Sequence, residues 1–322
     1  MKPICLMMLP ALAIALTTMR AEAQSWPRQP LRAIVPFAAG SSTDIVPRVV
    51  FEQLALQLGQ PIVVENRTGA GGTIGTALVA KAEPDGYTVL VHGSAHTIAP
   101  SVYPKLSYDP ARDFAAVVPL GISAQVMVVS PAKGLKTVAD LVVAAKAKPG
   151  TFNFSSVGIG TATHLAAERF RTSAGVDAVH VPFKGGAEAM SETVAGRVEF
   201  FFGPVGLVLP HVRDGRLVAL VVNGPKRAAA LPDVPTTMEA GFANAEYPIW
   251  YGLFFPAKTP RDIVNRLHRE TSKALQGPKL RERLATLAVD PMVMTPEGFD
   301  AHVHKEIAIN AALIKALGIK LD

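Results

Sequence analysis

The chain has 322 residues, 49% of them hydrophobic and 18% charged, so it can bury a substantial core and does not have the composition of a disordered segment. Its 32 Lys and Arg against 26 Asp and Glu give a net charge of +6, but no run of five or six like charges occurs and no aromatic residues interleave with a basic patch, which excludes a single-stranded nucleic-acid binder. The lone Cys5 leaves no disulfide framework and no thiolate metal site.

Residues 1–23 carry Lys2, an apolar block at 4–16 and the A-x-A sequence Ala21-Glu22-Ala23, the pattern of a cleavable secretory signal peptide. The block is too short for a permanent membrane anchor, and the chain is expected to be exported and soluble with Gln24 as its first mature residue. Without Lys2, Arg20 and Glu22, 30 basic and 25 acidic residues remain, a net of +5, which suits anionic small molecules and solubility equally.

Residues 31–37 read as a short apolar strand ended by the small-residue loop Ala38-Ala39-Gly40-Ser41. Ile45, Val49, Val50, Leu54 and Leu58 then recur at helical spacing. A strand, tight loop and helix aim the free N–H groups of a helix start at whatever the loop faces, a ready anion site. The alternative is that Ser42, Thr43 or Asp44 simply caps the helix. A second strand is expected at 61–65 and a helix at 73–81. Between them, Gly69-Ala70-Gly71-Gly72 fails as a dinucleotide fingerprint because Ile74 occupies the third glycine position. A third strand at 87–91 leads into the polar segment His92-Gly93-Ser94-Ala95-His96-Thr97, expected to offer hydroxyl and backbone donors. His92 and His96 are four apart, but without a third ligand they make a weak metal site.

Residues 117–129 return to strand character, and Thr137-Val138-Ala139-Asp140 resembles a capping box opening a helix to about Ala147. The opening pattern then recurs as a strand at 152–154, the loop 155–161 and a helix through His164 and Phe170. Strands at 179–182, 199–202 and 217–222 alternate with helices at 187–195 and toward Arg213, which argues for mostly parallel sheets with ligands at the carboxyl ends of their strands. His164 is expected to pack or cap locally, with a ligand role as the alternative. The proline-rich segment 225–235 reads as a crossing between lobes. A strand at 250–255 follows, with Trp250 and Tyr251 in the core or hinge. Helices opened by Pro260, Pro278 and Pro296 complete the chain.

Taken together, Trp26-Pro27, Val35-Pro36-Phe37-Ala38-Ala39-Gly40 with Thr43-Asp44, Val64-Glu65-Asn66-Arg67-Thr68-Gly69-Ala70-Gly71-Gly72, Pro84-Asp85-Gly86-Tyr87-Thr88, Ala145-Lys146-Ala147-Lys148-Pro149-Gly150, His180-Val181-Pro182-Phe183-Lys184-Gly185 and Leu231-Pro232-Asp233-Val234-Pro235-Thr236 resemble the Bug family. These are the periplasmic solute receptors of tripartite tricarboxylate transporters. The resemblance implies a two-lobed α/β periplasmic binding protein of type II-like architecture, one lobe at 24–122 plus 224–322 and the other at 123–223, closing on a carboxylate. It implies no enzyme activity, no cofactor, no metal and no nucleic acid, a monomer, and partnership with the membrane subunits of such a transporter or with a membrane sensor. The cleft loops carried over by position contain Ala39, Gly40, Ser41, Ser42, Thr43, Asp44, Ser94, Thr97, Ser155, Ser156, Thr161, His164, Phe183, Lys184, Gly185 and Gly203 as candidate ligand-binding residues.

Three departures bear on selectivity. Ser41-Ser42 stands where the family often has glycines, Phe183 where it often has tyrosine, and Gly203 where it frequently has an acidic residue. A buried ammonium group wants an anionic partner, and these loops offer only Asp44, expected to be engaged in capping. A carboxylic acid is therefore expected over an amino acid. An exported hydrolase is the competing class, but no G-x-S-x-G elbow is present.

Overall fold

A computed structural model describes residues 26–319, so the expected signal peptide lies outside the described residues. The opening unit is strand β1 (Leu31–Val35), a turn and helix α1 (Ser42–Leu58), which Gly59 ends in the left-handed conformation. Strand β2 (Ile62–Asn66) follows, then a single 3-10 turn (Ala70–Gly72) that runs into α2 (Thr73–Ala80), then β3 (Thr88–Gly93) and α3 (Ala95–Val102). The middle of the chain is β4 (Phe114–Ser123), β5 (Gln125–Val129), α4 (Val138–Ala147), β6 (Phe152–Ser156), α5 (Ala162–Ala174), β7 (Ala178–Pro182), α6 (Gly186–Val194), β8 (Phe200–Pro204), α7 (Val205–Arg213) and β9 (Val218–Asn223). Beyond residues 224–248 come β10 (Ile249–Pro256), α8 (Arg261–Gln276), α9 (Pro278–Thr286), β11 (Val289–Asp290) and α10 (Pro296–Leu317).

These strands form two sheets, ordered β11-β4-β10-β3-β1-β2 and β7-β6-β8-β5-β9. Each has helices packed on it, the expected two-lobed α/β arrangement. Both sheets are mixed where mostly parallel ones were expected. In the first, β1 pairs in parallel with β2 and β3, while β10 is antiparallel to β3 and β4. In the second, β6 is parallel to β7 and β8, while β5 is antiparallel to β8 and β9. The reversed strands include β5 and β10, the strands by which the chain enters a sheet after each crossing. The apolar stretch 117–129 is therefore two strands in different sheets. Ser123 pairs with Ile249 in the first, Gln125 pairs with Pro204 and Asn223 in the second, and only Ala124 separates them.

Alternation along the strands fills both faces of the first sheet. Leu31, Ala33 and Val35 pack with Val50 and Leu54 of α1 and Val264 and Leu267 of α8, whereas Ile34 packs with Val79, Phe254 and Phe299 on the other side. In the second sheet Phe154, Phe170, Phe200 and Phe202 form a fully buried aromatic cluster, with Phe200 stacked on Phe154 at 5.4 Å between ring centroids.

A polar clasp joins the two crossings. Gln125 Nε2 donates to the carbonyl of Tyr247 at 2.6 Å and to that of Ala162 at 3.2 Å, and Asn223 exchanges hydrogen bonds with the backbone of Ala245 and Tyr247. Truncating the centre of the aromatic cluster, Phe200→Ala, is expected to cost about 3–5 kcal/mol in urea unfolding, the usual range for a fully buried phenylalanine; a loss below about 1 kcal/mol would mean the second sheet does not depend on that packing.

Candidate functional site

Loops from both lobes meet at one cleft with about 610 Å³ of space free of protein atoms, part of it open to solvent. Five helices begin at its wall, and their N-cap residues Ser41, Ser94, Thr161, Gly185 and Pro204 all line it. None of these five starts has a side-chain capping bond. By contrast α4 carries the full capping box of Thr137 and Asp140, and Thr295 accepts from the Gly298 N–H at the start of α10. The first N–H groups of a helix have no acceptor within it; that of Val205 in α7 is taken by the Ala124 carbonyl at 3.2 Å, and the other starts bring free donors and the positive ends of helix dipoles to this cleft.

In the first loop the N-cap is Ser41, not Ser42, Thr43 or Asp44. Its Oγ is buried in the cleft wall with no hydrogen-bond partner. Asp44, which was expected to cap, holds the loop from behind. Its Oδ2 accepts from the Gly40 N–H at 2.9 Å, and its Oδ1 accepts from Arg48 Nε at 2.9 Å and Asn66 Nδ2 at 3.0 Å. The buried carboxylate is thus neutralised away from the cleft. Ala39 and Gly40 are exposed at the tip, where Gly40 takes φ +79°.

The polar segment after β3 is not a loop, because Gly93 ends the strand and α3 begins two residues later. A side chain at Gly93 would bring its Cβ to 2.3 Å from the Trp250 carbonyl, so glycine lets β3 and β10 meet at the cleft floor. Ser94 lines the cleft, and its Oγ accepts from the Trp250 N–H at 3.1 Å. Thr97 faces the other way, with its Oγ1 donating to the Ser94 carbonyl and accepting from Asn310 of α10 at 2.9 Å. His92 and His96 are buried with rings 5.1 Å apart, packed against Phe37, Phe114 and Phe254. Among the described residues no group of three or more His, Cys, Asp or Glu could hold a metal ion.

In the second lobe Thr161 lines the cleft and ties its own loop, donating to the Gly158 carbonyl at 2.7 Å and lying 3.1 Å from the Thr163 hydroxyl. Ser155 is turned inward against Thr193, and Ser156 bonds His180 Nε2 at 2.6 Å. His164 is a prop and not a wall residue. Its Nδ1 accepts from the Gly160 N–H at 3.2 Å, and its ring stacks on His180 at 3.8 Å, with Phe154 beneath. Gly203 sits within β8, where a Cβ would strike Phe201 and Val208 at 2.6 Å, so packing and not a ligand demands glycine there. Lys184 and Gly185 line the cleft, while Phe183 lines an adjoining space. The lobes touch beside it, where Tyr103 donates to the Ile159 carbonyl at 3.3 Å.

Of the candidates, then, Ser41, Ser42, Thr43, Ser94, Thr161, Lys184 and Gly185 come together at the cleft. Ala39, Gly40, Asp44, Thr97, Ser155, Ser156, His164 and Gly203 lie outside its wall. The candidates omit the apolar part of the wall, including Phe37, Val157, Leu207 and Ile249. Phe37 ends a predicted strand and Val157 sits in a predicted loop, but neither carries a polar group to draw notice. Leu207 and Ile249 had no such signal.

Two α/β lobes with helix starts from both converging on one cleft define the architecture of a periplasmic binding protein. The chain belongs to the tripartite tricarboxylate transporter family of receptors, whose sequence profile matches residues 46–319. It is 33% identical over 302 residues to protein BugT of Bordetella pertussis, covering 93% of each chain. Among solved structures it is similar to the periplasmic binding protein BugD, with a TM-score of 0.87 and 32% identity over 92% of this chain and all of that one. It is also similar to R. palustris Rpa4515 with adipate, at a TM-score of 0.89 and 30% identity over the same shares. The resemblance to the Bug family holds, and the family is one of substrate-binding receptors. No helix among the described residues is long and apolar enough to cross a membrane.

Burial is the main reason the imidazoles of His92, His96, His164 and His180 stay neutral. It pushes His164 and His96 down to about 3, His180 to about 4 and His92 well below its ordinary value, with His180 adding to the effect on His164. Unfolded, each takes a proton near pH 6.5; folded, it does so only far lower. Their stabilising effect is thus complete above about pH 6.5 and is lost as pH falls toward 4 and then 3. The melting temperature is expected to fall from pH 7 to pH 5, above the range where carboxylates titrate. The double variant His164→Asn, His180→Gln is expected to show a shallower fall, and an unchanged slope would mean these two rings are not its source.

Proposed function

We propose that the protein captures a small organic carboxylate between its lobes and hands it to the membrane subunits of a tripartite transporter. The observation that carries the reading is the unpartnered, buried Ser41 Oγ at the uncapped start of α1, facing the starts of α5 and α6 across the cleft. A carboxylate leaves water at high cost unless several donors replace its hydration shell. Here the Ser41 hydroxyl, the N–H groups of Ser42 and Thr43 and those opening α5 supply such donors from both lobes, so binding favours lobe closure. The solved relative Rpa4515 with adipate supports an acid of this kind.

Among the described residues no Asp or Glu lines the cleft, and Asp44 is already engaged by Arg48, Asn66 and Gly40. An α-ammonium group would find no anionic partner, which favours simple carboxylic acids over amino acids. Thermal unfolding against mono-, di- and tricarboxylates and amino acids tests this. An acid at about a hundred times its dissociation constant is expected to add roughly 2.7 kcal/mol. Ser41→Val is expected to weaken that acid about tenfold, the effect of losing one hydrogen bond to a charged group. Glutamate or aspartate as the tightest ligand, or no shift with any acid in refolded protein, would refute the reading.

A further inference from the structure

The first turn of α7 meets the other lobe at a point that contact with a ligand does not explain. Gly206 is the second residue of α7, and a Cβ on it would lie 2.6 Å from the carbonyl oxygen of Leu287 and 3.1 Å from that residue's Cα. A Cβ essentially never comes within 3.0 Å of such an atom. Gly206 is not among the glycines with positive φ, so the close approach of two backbones, and not a special conformation, demands glycine here. Gly206 follows a strand of the second sheet, whereas Leu287 stands at the turn from α9 into β11 of the first.

Both backbones are anchored beside the crossing at Ala124. The Val205 N–H bonds the Ala124 carbonyl, which ties the start of α7 to it. On the other side Val289 and Asp290, just after Leu287 and Ala288, pair with Ser123 and Ile122. The contact is therefore close to the pivot, where a small separation becomes a larger one at the cleft mouth. A space of about 300 Å³ free of protein atoms, partly open to solvent, lies beside it, and Ser42, Pro204 and Leu207 line both this space and the ligand cleft.

We infer that Gly206 is a positioning residue that sets how far the lobes close: the first turn of α7 comes to rest on the Leu287 carbonyl, and a side chain at position 206 props the cleft open. The contact stands without any ligand; only its consequence for binding rests on the carboxylate reading. Where the closed form alone holds the ligand, a smaller closed fraction weakens every ligand by the same factor.

A disulfide across the cleft reads the closed fraction directly. A Cβ on Gly185 would lie 3.8 Å from that of Ala38, the usual spacing in a disulfide. With Cys5, the single cysteine of the chain, replaced by serine, the pair Ala38→Cys and Gly185→Cys oxidises only when the lobes are closed. Its oxidation rate, normalised to the thiol reactivity of each variant carrying one of the two changes, needs no ligand. Adding Gly206→Ala is expected to slow oxidation about tenfold, the effect of a methyl forced into a packed contact, and Gly206→Val to slow it further. Alanine is a better helix former than glycine, so α7 itself is not weakened. Equal rates with and without Gly206→Ala overturn the role of Gly206. So does failure of Gly206→Ala to fold, because the contact would then be a requirement of the fold at every lobe angle. A slowed rate in a protein that binds no acid leaves this role intact and overturns the carboxylate reading instead.

Discussion

Backbone N–H groups at a helix start must find an acceptor, and in this protein five such starts are left without side-chain caps around a single cleft. Much else in the neighbourhood follows from that constraint. Cationic side chains need not be buried there, because partial positive charge is already fixed in the backbone. Acidic side chains must be kept away from it. The one acid in the first loop, Asp44, is buried behind the loop and held by Arg48, Asn66 and the Gly40 N–H, which also keeps the tip in shape. On the opposite side neutral imidazoles do the supporting. His164 accepts from the loop backbone and His180 bonds Ser156, so the second-lobe loop is braced without adding charge.

The join between lobes is tied to the same cleft. Gln125 opens β5 one residue after the crossing at Ala124, and its amide nitrogen holds both Tyr247 in the return crossing and Ala162 in the first turn of α5. Ala162 lines the cleft. A rotation at the crossing therefore cannot leave the start of α5 undisturbed, since one side chain bonds both. Tyr247 extends this network into the first lobe through Asn310, which in turn holds Thr97.

The loops that approach the cleft are legible from residue patterns, because a change from alternating to helical spacing around small residues marks each strand end. Which side chain on a loop faces inward is not. Ser155 and Ser156 are adjacent and both hydroxylic, yet one contacts Thr193 and the other His180, an outcome set by how β6 pairs and by which helix covers it. Thr97 has the right chemistry and the wrong direction, since α3 presents it to Asn310 of a helix more than 200 residues away. Gly203 reads as a lost acidic ligand but is a glycine required by contact with Phe201 and Val208. Mixed sheets escaped the reading for a related reason. Strand direction at β5 and β10 is decided by the double crossing, and no local pattern encodes it.

The register between β3 and β10 also bears on how the molecule assembles. Gly93 lies opposite Tyr251, and Leu90 opposite Phe254, so the centre of the first sheet is built from segments more than 150 residues apart. The second sheet draws only on β5 to β9, a continuous stretch of chain. Closing the longer loop costs more conformational entropy and delays the contacts that would repay it. Until β10 has been made, the edge of β3 that it covers has no strand partner, whereas every strand of the second sheet is already in the chain. The first sheet, although begun earlier in the chain, cannot be complete until β10, which follows every strand of the second sheet, lies between β3 and β4.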